Sequence, residues 1–272
     1  MGTSKMNISI QKLTKEDLPH ISYLSPPDWN YDISIPFDSY LTNGYCIPLK
    51  LLDSDLIIGV GNVIMLGDTA WLSQIIIAKE YRGKGLGTMI TRTLLASIPS
   101  HIHTVQLIAT DLGFPVYKKL GFTIEDEYLF YSIESRIFPT ALNPVPFEIK
   151  YIDQLFDLDC RISGEKRNAL FSQKILDTTR LFFKGTTLVA YSMPDLGETL
   201  IVSEDCNIGI DLLKEHISKK KKMVFPSSNI FAVEWMERNH FMSDRKAYRM
   251  SLGKKLKPRL GCIYNRIGGN LG

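Results

Sequence analysis

One stretch, Gln74 to Thr88, constrains this chain more than any other. Ile75, Ile76 and Ile77 form a β-branched run that reads as a buried strand. A short polar turn follows, then Arg82, Gly83, Lys84, Gly85, Leu86 and Gly87, and an apolar-periodic helix begins near Leu86. Glycines at 83, 85 and 87 let the backbone take conformations that a Cβ would crowd, so successive N–H groups can point into one concavity. The helix that starts there adds free N–H donors and the positive end of its dipole. Arg82 and Lys84 add fixed charge. A strand, a glycine turn and a helix N-terminus in this order make a phosphate cradle.

The spacing narrows the ligand. No Gly-Lys-Ser/Thr closes the turn, so the P-loop pattern is absent, and glycines spaced two and two are not the dinucleotide pattern. Taken alone, a glycine turn before a helix is as often only a tight connection. The pattern Arg-Gly-x-Gly-x-Gly after a strand resembles the phosphate-binding motif of the GNAT superfamily of acetyl-coenzyme A-dependent N-acetyltransferases. A second segment, from Gly113 through Tyr117 to Gly121 and Phe122, resembles that family's "Ala-x-x-Leu-Tyr-x-x-Leu-Gly-Phe" stretch. The two occur in the family's order and separation.

The resemblance implies acetyl-CoA as cosubstrate and no metal. It implies a fourth strand that splays from the fifth, with the cofactor's pantetheine arm on exposed backbone at Ile75, Ile76 and Ile77. The diphosphate is then expected on the N–H groups of Arg82, Gly83, Lys84, Gly85, Leu86, Gly87 and Thr88. Thr110 stands where many relatives have a pantetheine-contacting asparagine. Tyr117 matches the tyrosine that protonates the leaving thiolate, and its phenol, with an ordinary pKa of about 10, suits that task. A strand N–H near Ile75 or Ile77 is expected to stabilise the thioester oxygen as it gains charge. The family's frequent glutamate on the fourth strand is missing: Trp71, Leu72, Ser73 and Gln74 occupy that stretch. Asp68, Asp111, His101 and His103 lie nearby in sequence, each more readily explained as a turn or strand-end residue.

Around these motifs the hydrophobic pattern gives a mixed α/β fold. Strands are expected at 7–13, 45–52, 54–65, 69–78, 104–109 and 122–133, and helices at 14–24, 36–41, 86–98 and 114–120. Residues 135–146 contain Pro139, Asn143, Pro144 and Pro146 and read as a linker. A second α/β pattern follows: strands at 147–151, 180–184, 187–193, 198–203, 223–225 and 245–252, helices at 152–162, 207–218 and 229–238, and another helix through 165–172. Pro226 to Phe241 weakly repeats the tyrosine-bearing segment, with Met236 at the tyrosine position and no glycine turn before the helix at Asn207. This half resembles the degenerate GNAT-like domain that follows the catalytic one in some bacterial N-acetyltransferases. The expectation is two tandem GNAT-like domains, each a mixed, largely antiparallel sheet flanked by helices: residues 1–134 binding acetyl-CoA, residues 147–272 lacking the phosphate motif and walling the acceptor site. Within Gly164 to Arg167, either Glu165 or Arg167 is a candidate for reaching the acceptor, the plainer alternative being a capped helix start.

The remaining properties exclude more than they assign. With 272 residues and a net charge of +3, composition does not argue for nucleic acid. The run Lys219 to Lys222 suits a solvated helix end. Four scattered cysteines show neither metal nor disulfide spacing. With no apolar signal core and no 18-residue apolar stretch, a cytoplasmic protein without membrane contact is expected. The acceptor is expected to be a small-molecule, amino-acid or peptide amine, and the alternative function is a non-catalytic CoA or acyl-CoA sensor. Oligomeric state is not legible.

Overall fold

A computed structural model describes residues 6–27, 31–134 and 136–272. The first part of the chain runs β1 (Ile8–Lys12), α1 (Ser34–Thr42), β2 (Cys46–Asp53), β3 (Leu56–Leu66), β4 (Thr69–Ile77), α2 (Leu86–Ala96), β5 (Thr104–Ala109), α3 (Phe114–Lys119) and β6 (Thr123–Ser132). Then come β7 (Val145–Pro146), α4 (Ile152–Ser163), α5 (Gln173–Thr178), β8 (Arg180–Lys184), β9 (Thr187–Met193), β10 (Leu200–Ser203), α6 (Cys206–Lys219), β11 (Lys222–Pro226), α7 (Ile230–Arg238), β12 (Arg245–Gly253) and β13 (Ile263–Asn265). Among the described residues these strands make an eight-stranded sheet, ordered β1-β2-β3-β4-β5-β12-β6-β11, and a five-stranded sheet, ordered β13-β10-β9-β8-β7.

The N-terminal meander folds as its pattern dictates. β1 through β4 pair antiparallel in chain order, and the turn between β3 and β4 closes on Gly67 at φ +61°. The β3–β4 ladder alternates its side chains between two faces. Val60, Ile64, Trp71 and Ile76 pack with Phe37 and Tyr40 of α1, while Val63 and Leu72 pack with Leu86, Ile90 and Leu94 of α2. Burying each of those three α2 side chains is worth about 1.5–3 kcal/mol, which seats the helix beneath the sheet and fixes where its N-terminus points.

The division at 134/147 is not a division between sheets. β12, from the later part of the chain, lies between β5 and β6, pairing antiparallel with both. β6 in turn pairs with β11. Each half therefore lends its penultimate or final long strand to the other.

Several expected elements take another form. The expected first helix is two short 3-10 turns, Lys15–His20 and Ser22–Leu24, because Pro19 interrupts the segment. A capping box does form, with Thr14 and Asp17 bonded reciprocally. The expected strand at 147–151 is a 3-10 turn over Ile149–Tyr151, preceded by β7. The expected helix through 165–172 is absent: Gly164 ends α4 at φ 75°, a left-handed C-cap, and only a turn at Asn168–Leu170 follows before α5. Side-chain contacts of Glu165 and Arg167 hold the intervening backbone. Arg167 is 3% exposed and grips Asp159 through Nε and Nη2 at 2.9 and 2.7 Å, with Tyr191 donating to the same carboxylate. The basic run is partly tied down, since Lys219 pairs with Glu215 and Lys222 with Glu198. No helix among the described residues is long and apolar enough to cross a membrane.

Candidate functional site

β4 and β5 run parallel but stay paired for three residues only: Thr69 with Thr104, Ala70 with Val105, and Trp71 with Gln106. Beyond that last rung both strands continue, β4 to Ile77 and β5 to Ala109, with no ladder between them. The fork begins where β4 bulges against β3. The register shifts between Val60 and Asn62, and Gln74 takes φ +51°. Gln74 is held there in part by Tyr31, whose hydroxyl accepts from Nε2 at 2.8 Å. Backbone N–H and C=O groups on the β5-facing side of Leu72 to Ile77 are thus left without a strand partner, a demand that a ligand can meet.

The open edge leads into the glycine turn. Gly83 and Gly85 sit at φ +77° and +79°, and Gly85 is the N-cap of α2. The Met89 N–H donates to Gly85 O at 3.0 Å, so the N–H groups of Leu86, Gly87 and Thr88 precede the helical ladder. A Cβ added at Gly83, Gly85 or Gly87 would meet nothing within 4 Å. Glycine here is not demanded by neighbouring protein atoms, and the space above the loop is open. Arg82 Nε donates to Ile77 O at 3.0 Å, which ties the turn to the strand, and Lys84 lies 4.9 Å from the Tyr81 ring.

The other expected residues gather at the same end of the sheet. Ile75 and Ile77 pack on the α2 side and Ile76 on the α1 side, so all three side chains belong to the core. Thr110 follows β5 directly, its carbonyl accepting from Gly113 and Phe114 and starting α3. Tyr117 lies on α3, edge-on to Phe122 at 5.9 Å, and its hydroxyl has no hydrogen bond among the described residues. Burial raises its phenol well above the ordinary value. A phenol is protonated at neutral pH even at its ordinary value, as a donor must be. Asp68 and His103 sit before the first rung, at the opposite end of β4 and β5, while Asp111 is exposed beyond β5.

On the α1 face of the fork the structure assembles a polar group that the pattern did not single out. Asn62, Ser73 and Gln106 are buried polar residues inside largely apolar strands, and that interruption was the signal available. Asn62 Nδ2 is 3.4 Å from Ser73 Oγ. Tyr40 accepts from Asn270 Nδ2 at 3.0 Å. Burial pushes its phenol up to about 12. Arg249 of β12 is 2% exposed, lies 4.9 Å over the Trp71 ring, and bonds Glu125, Gln106 and Tyr128. Glu165 Oε1 accepts from Trp71 Nε1 at 2.9 Å and Thr69 Oγ1 at 2.8 Å. Of the aromatic residues in the loop before α1, Trp29 lies outside the described residues.

Residues 50–124 match the family model described as the acetyltransferase (GNAT) domain. The chain carries a GNAT acetyltransferase domain. Its glycine turn, fork and Tyr117 all fall inside the matched residues. The GNAT domain makes the protein an acyltransferase. Solved structures show that the whole chain shares a larger arrangement. A Pyrococcus horikoshii protein ascribed to the acetyltransferases superposes with a TM-score of 0.79 at 19% identity, covering 100% of this chain and 98% of that one. A GCN5-related N-acetyltransferase from Sphaerobacter thermophilus gives 0.64 at 12% identity, over 92% and 97% of the two chains. One from Anabaena variabilis gives 0.56 at 13%, over 90% and 72%. At these identities the likeness is one of fold. A search of curated proteins finds no match.

Proposed function

We propose that the protein moves the acetyl group of acetyl-CoA onto a primary amine of a small molecule, amino acid or peptide, by direct attack of the amine on the thioester. The observation that carries this is the unpaired edge of β4 running straight into an open glycine turn at the N-terminus of α2. An extended arm ending in a diphosphate fits that pair of features, and each is laid out for the other.

Acetyl-CoA, when bound, supplies an activated acyl group and a thiolate leaving group. The chain's own residues do the rest. The N–H groups of Leu86, Gly87 and Thr88, with Arg82 and Lys84, hold the diphosphate. Backbone along Ile75, Ile76 and Ile77 holds the arm, with Thr110 at the end of β5 beside it. An N–H near Ile75 or Ile77 faces the charge that develops on the thioester oxygen. Tyr117, a phenol protonated at neutral pH, gives its proton to the departing sulfur and regains one from solvent, while the acceptor nitrogen releases its protons to water.

The test combines calorimetry with acetyl-CoA and a thiol-release assay over a panel of primary amines. Binding with turnover supports the reading, and failure to bind acetyl-CoA at high concentration overturns it. In the same assays Tyr117→Phe is expected to lower kcat about 100-fold or more while leaving acetyl-CoA affinity unchanged. A second reading, a non-catalytic acyl-CoA sensor, is favoured by one fact, that β4 carries no carboxylate between Thr69 and Ile77. Binding without turnover on any amine would select it.

A further inference from the structure

Four buried side-chain polar atoms have no hydrogen-bond partner among the described residues: Asn62 Oδ1, Gln106 Nε2, Glu165 Oε2 and Ser192 Oγ. Each such atom costs about 1–3 kcal/mol, so a cluster of them calls for an explanation. Three of the four meet at the fork. Asn62 stands opposite Ser73, Gln106 opposite Trp71, and Glu165 is hydrogen-bonded to the Trp71 indole. All three lie on one face. Asn62 alternates with Val60 and Ile64, which pack with Trp71 on the α1 side, and Gln106 falls between Val105 and Leu107, which pack on the other.

Glu165 differs from its two companions in carrying charge. It is 1% exposed. One carboxylate oxygen is fixed by Thr69 and Trp71, the first and last of the three paired rungs of β4, and the other oxygen is left over. The neighbouring guanidinium groups of Arg249 and Arg167 attract it, but they bond Glu125, Gln106, Tyr128 and Asp159, and neither donates to Oε2. A buried carboxylate with an unmatched oxygen is expensive, and a cationic partner is what relieves it. An incoming amine is such a cation at neutral pH, and the Trp71 indole that Glu165 accepts from belongs to the rung at which β4 and β5 part.

We propose that Glu165 is the counter-charge that receives the acceptor's ammonium group, which makes the acceptor a cationic amine and gives the later half of the chain a specificity-determining residue in the GNAT site. This rests on the N-acetyltransferase reading above. Asn62 Oδ1 is a second acceptor, and Gln106 Nε2 a donor, for polar atoms next to that nitrogen. The carboxylate that β4 lacks is supplied from Glu165, immediately after the glycine that ends α4.

Glu165→Gln is the informative variant, because its Oε1 can still accept from Trp71 and Thr69 while the charge is gone. Wild type and variant are compared on a primary alkylamine, cationic at neutral pH, and on an aromatic amine, which is neutral there. Acetyl-CoA affinity is measured on both proteins by calorimetry. The expected result is a loss of about 10- to 100-fold in kcat/KM for the alkylamine, with the aromatic amine and acetyl-CoA affinity within about twofold of wild type. A purely structural role for Glu165, tying the end of α4 to β4, would lower both amines alike. Equal losses, or no loss, would overturn the proposal while leaving acetyl transfer in place. If acetyl-CoA binds but nothing is acetylated, alkylamine affinity for the acetyl-CoA complex supplies the same comparison. Weaker binding by the variant then supports the proposal, and equal or absent binding overturns it. Failure of acetyl-CoA itself to bind would instead defeat the underlying reading.

Discussion

Replacing Gly87 by alanine separates what the phosphate turn does for the fold from what it does for a ligand. Gly87 is the second residue of α2 and has no positive φ, unlike Gly83 and Gly85. Its added Cβ meets no protein atom within 4 Å. For the fold alone, glycine in a helix is then a defect, and Gly87→Ala should raise stability by a few tenths up to about 1 kcal/mol. For a diphosphate seated on the N–H groups of Leu86, Gly87 and Thr88, the same methyl fills the approach. Losing one or two charge-assisted hydrogen bonds costs about 1.5–3 kcal/mol each, which corresponds to roughly 10- to 1000-fold or more in Kd. The assay pairs thermal melting with acetyl-CoA calorimetry on the same preparations. A melting point equal to or above wild type together with a collapsed affinity is the expected signature. An alanine variant that binds acetyl-CoA as tightly as wild type would refute the reasoning, because the turn's amides would then not be the anion seat.

Other consequences are open to direct measurement. Asp159→Ala leaves the Arg167 guanidinium buried and unpaired beside Tyr191, and is expected to cost about 3–5 kcal/mol in denaturant unfolding. Gly209→Ala drives a Cβ from α6 into the ring of the buried Tyr264, and a loss of about 1–3 kcal/mol should lower the melting point by several degrees. Asp17 titrates low: burial alone would raise it, but the Lys50 ammonium at 2.7 Å and the Thr14 N–H outweigh that and hold it below the usual carboxylate range. Its contribution to stability is thus present above the ordinary aspartate pKa of about 4 and disappears as pH falls through the lowered value. Lys50→Met should flatten that acid limb in a melting series against pH.

What could be read from sequence was whatever is local. The Thr104–Ala109 strand, the turn from Arg82 to Gly87 and the three-strand meander rest on periodicity and glycine placement within a dozen residues, and the structure reproduces them. The short β13 had no such pattern, three residues being too few to carry one. The 165–172 segment reads as helix locally, yet only a turn at Asn168–Leu170 forms there. What decides its path is the pull of Asp159 on Arg167 and of Trp71 and Thr69 on Glu165, the latter pair more than ninety positions away. The candidate site divides the same way. Its expected phosphate end is a contiguous motif, while the proposed acceptor end joins Tyr40, Ser73, Gln106, Glu165, Arg249 and Asn270, which no spacing rule links.

The interleaving of β6 and β12 has a consequence for how this molecule comes into being. β5 closes only when β12 arrives about 140 positions later, with Tyr248 opposite Ala109. Closure over so long a loop is slow and its entropic cost comes early. During synthesis the acetyltransferase half must leave the ribosome with β5 missing one neighbour and β6 missing both, raw edges open to pairing with another chain. Neither catalytic half nor its companion reaches maturity before the other, and a cell that makes this protein has to shelter those edges until the last long strand emerges.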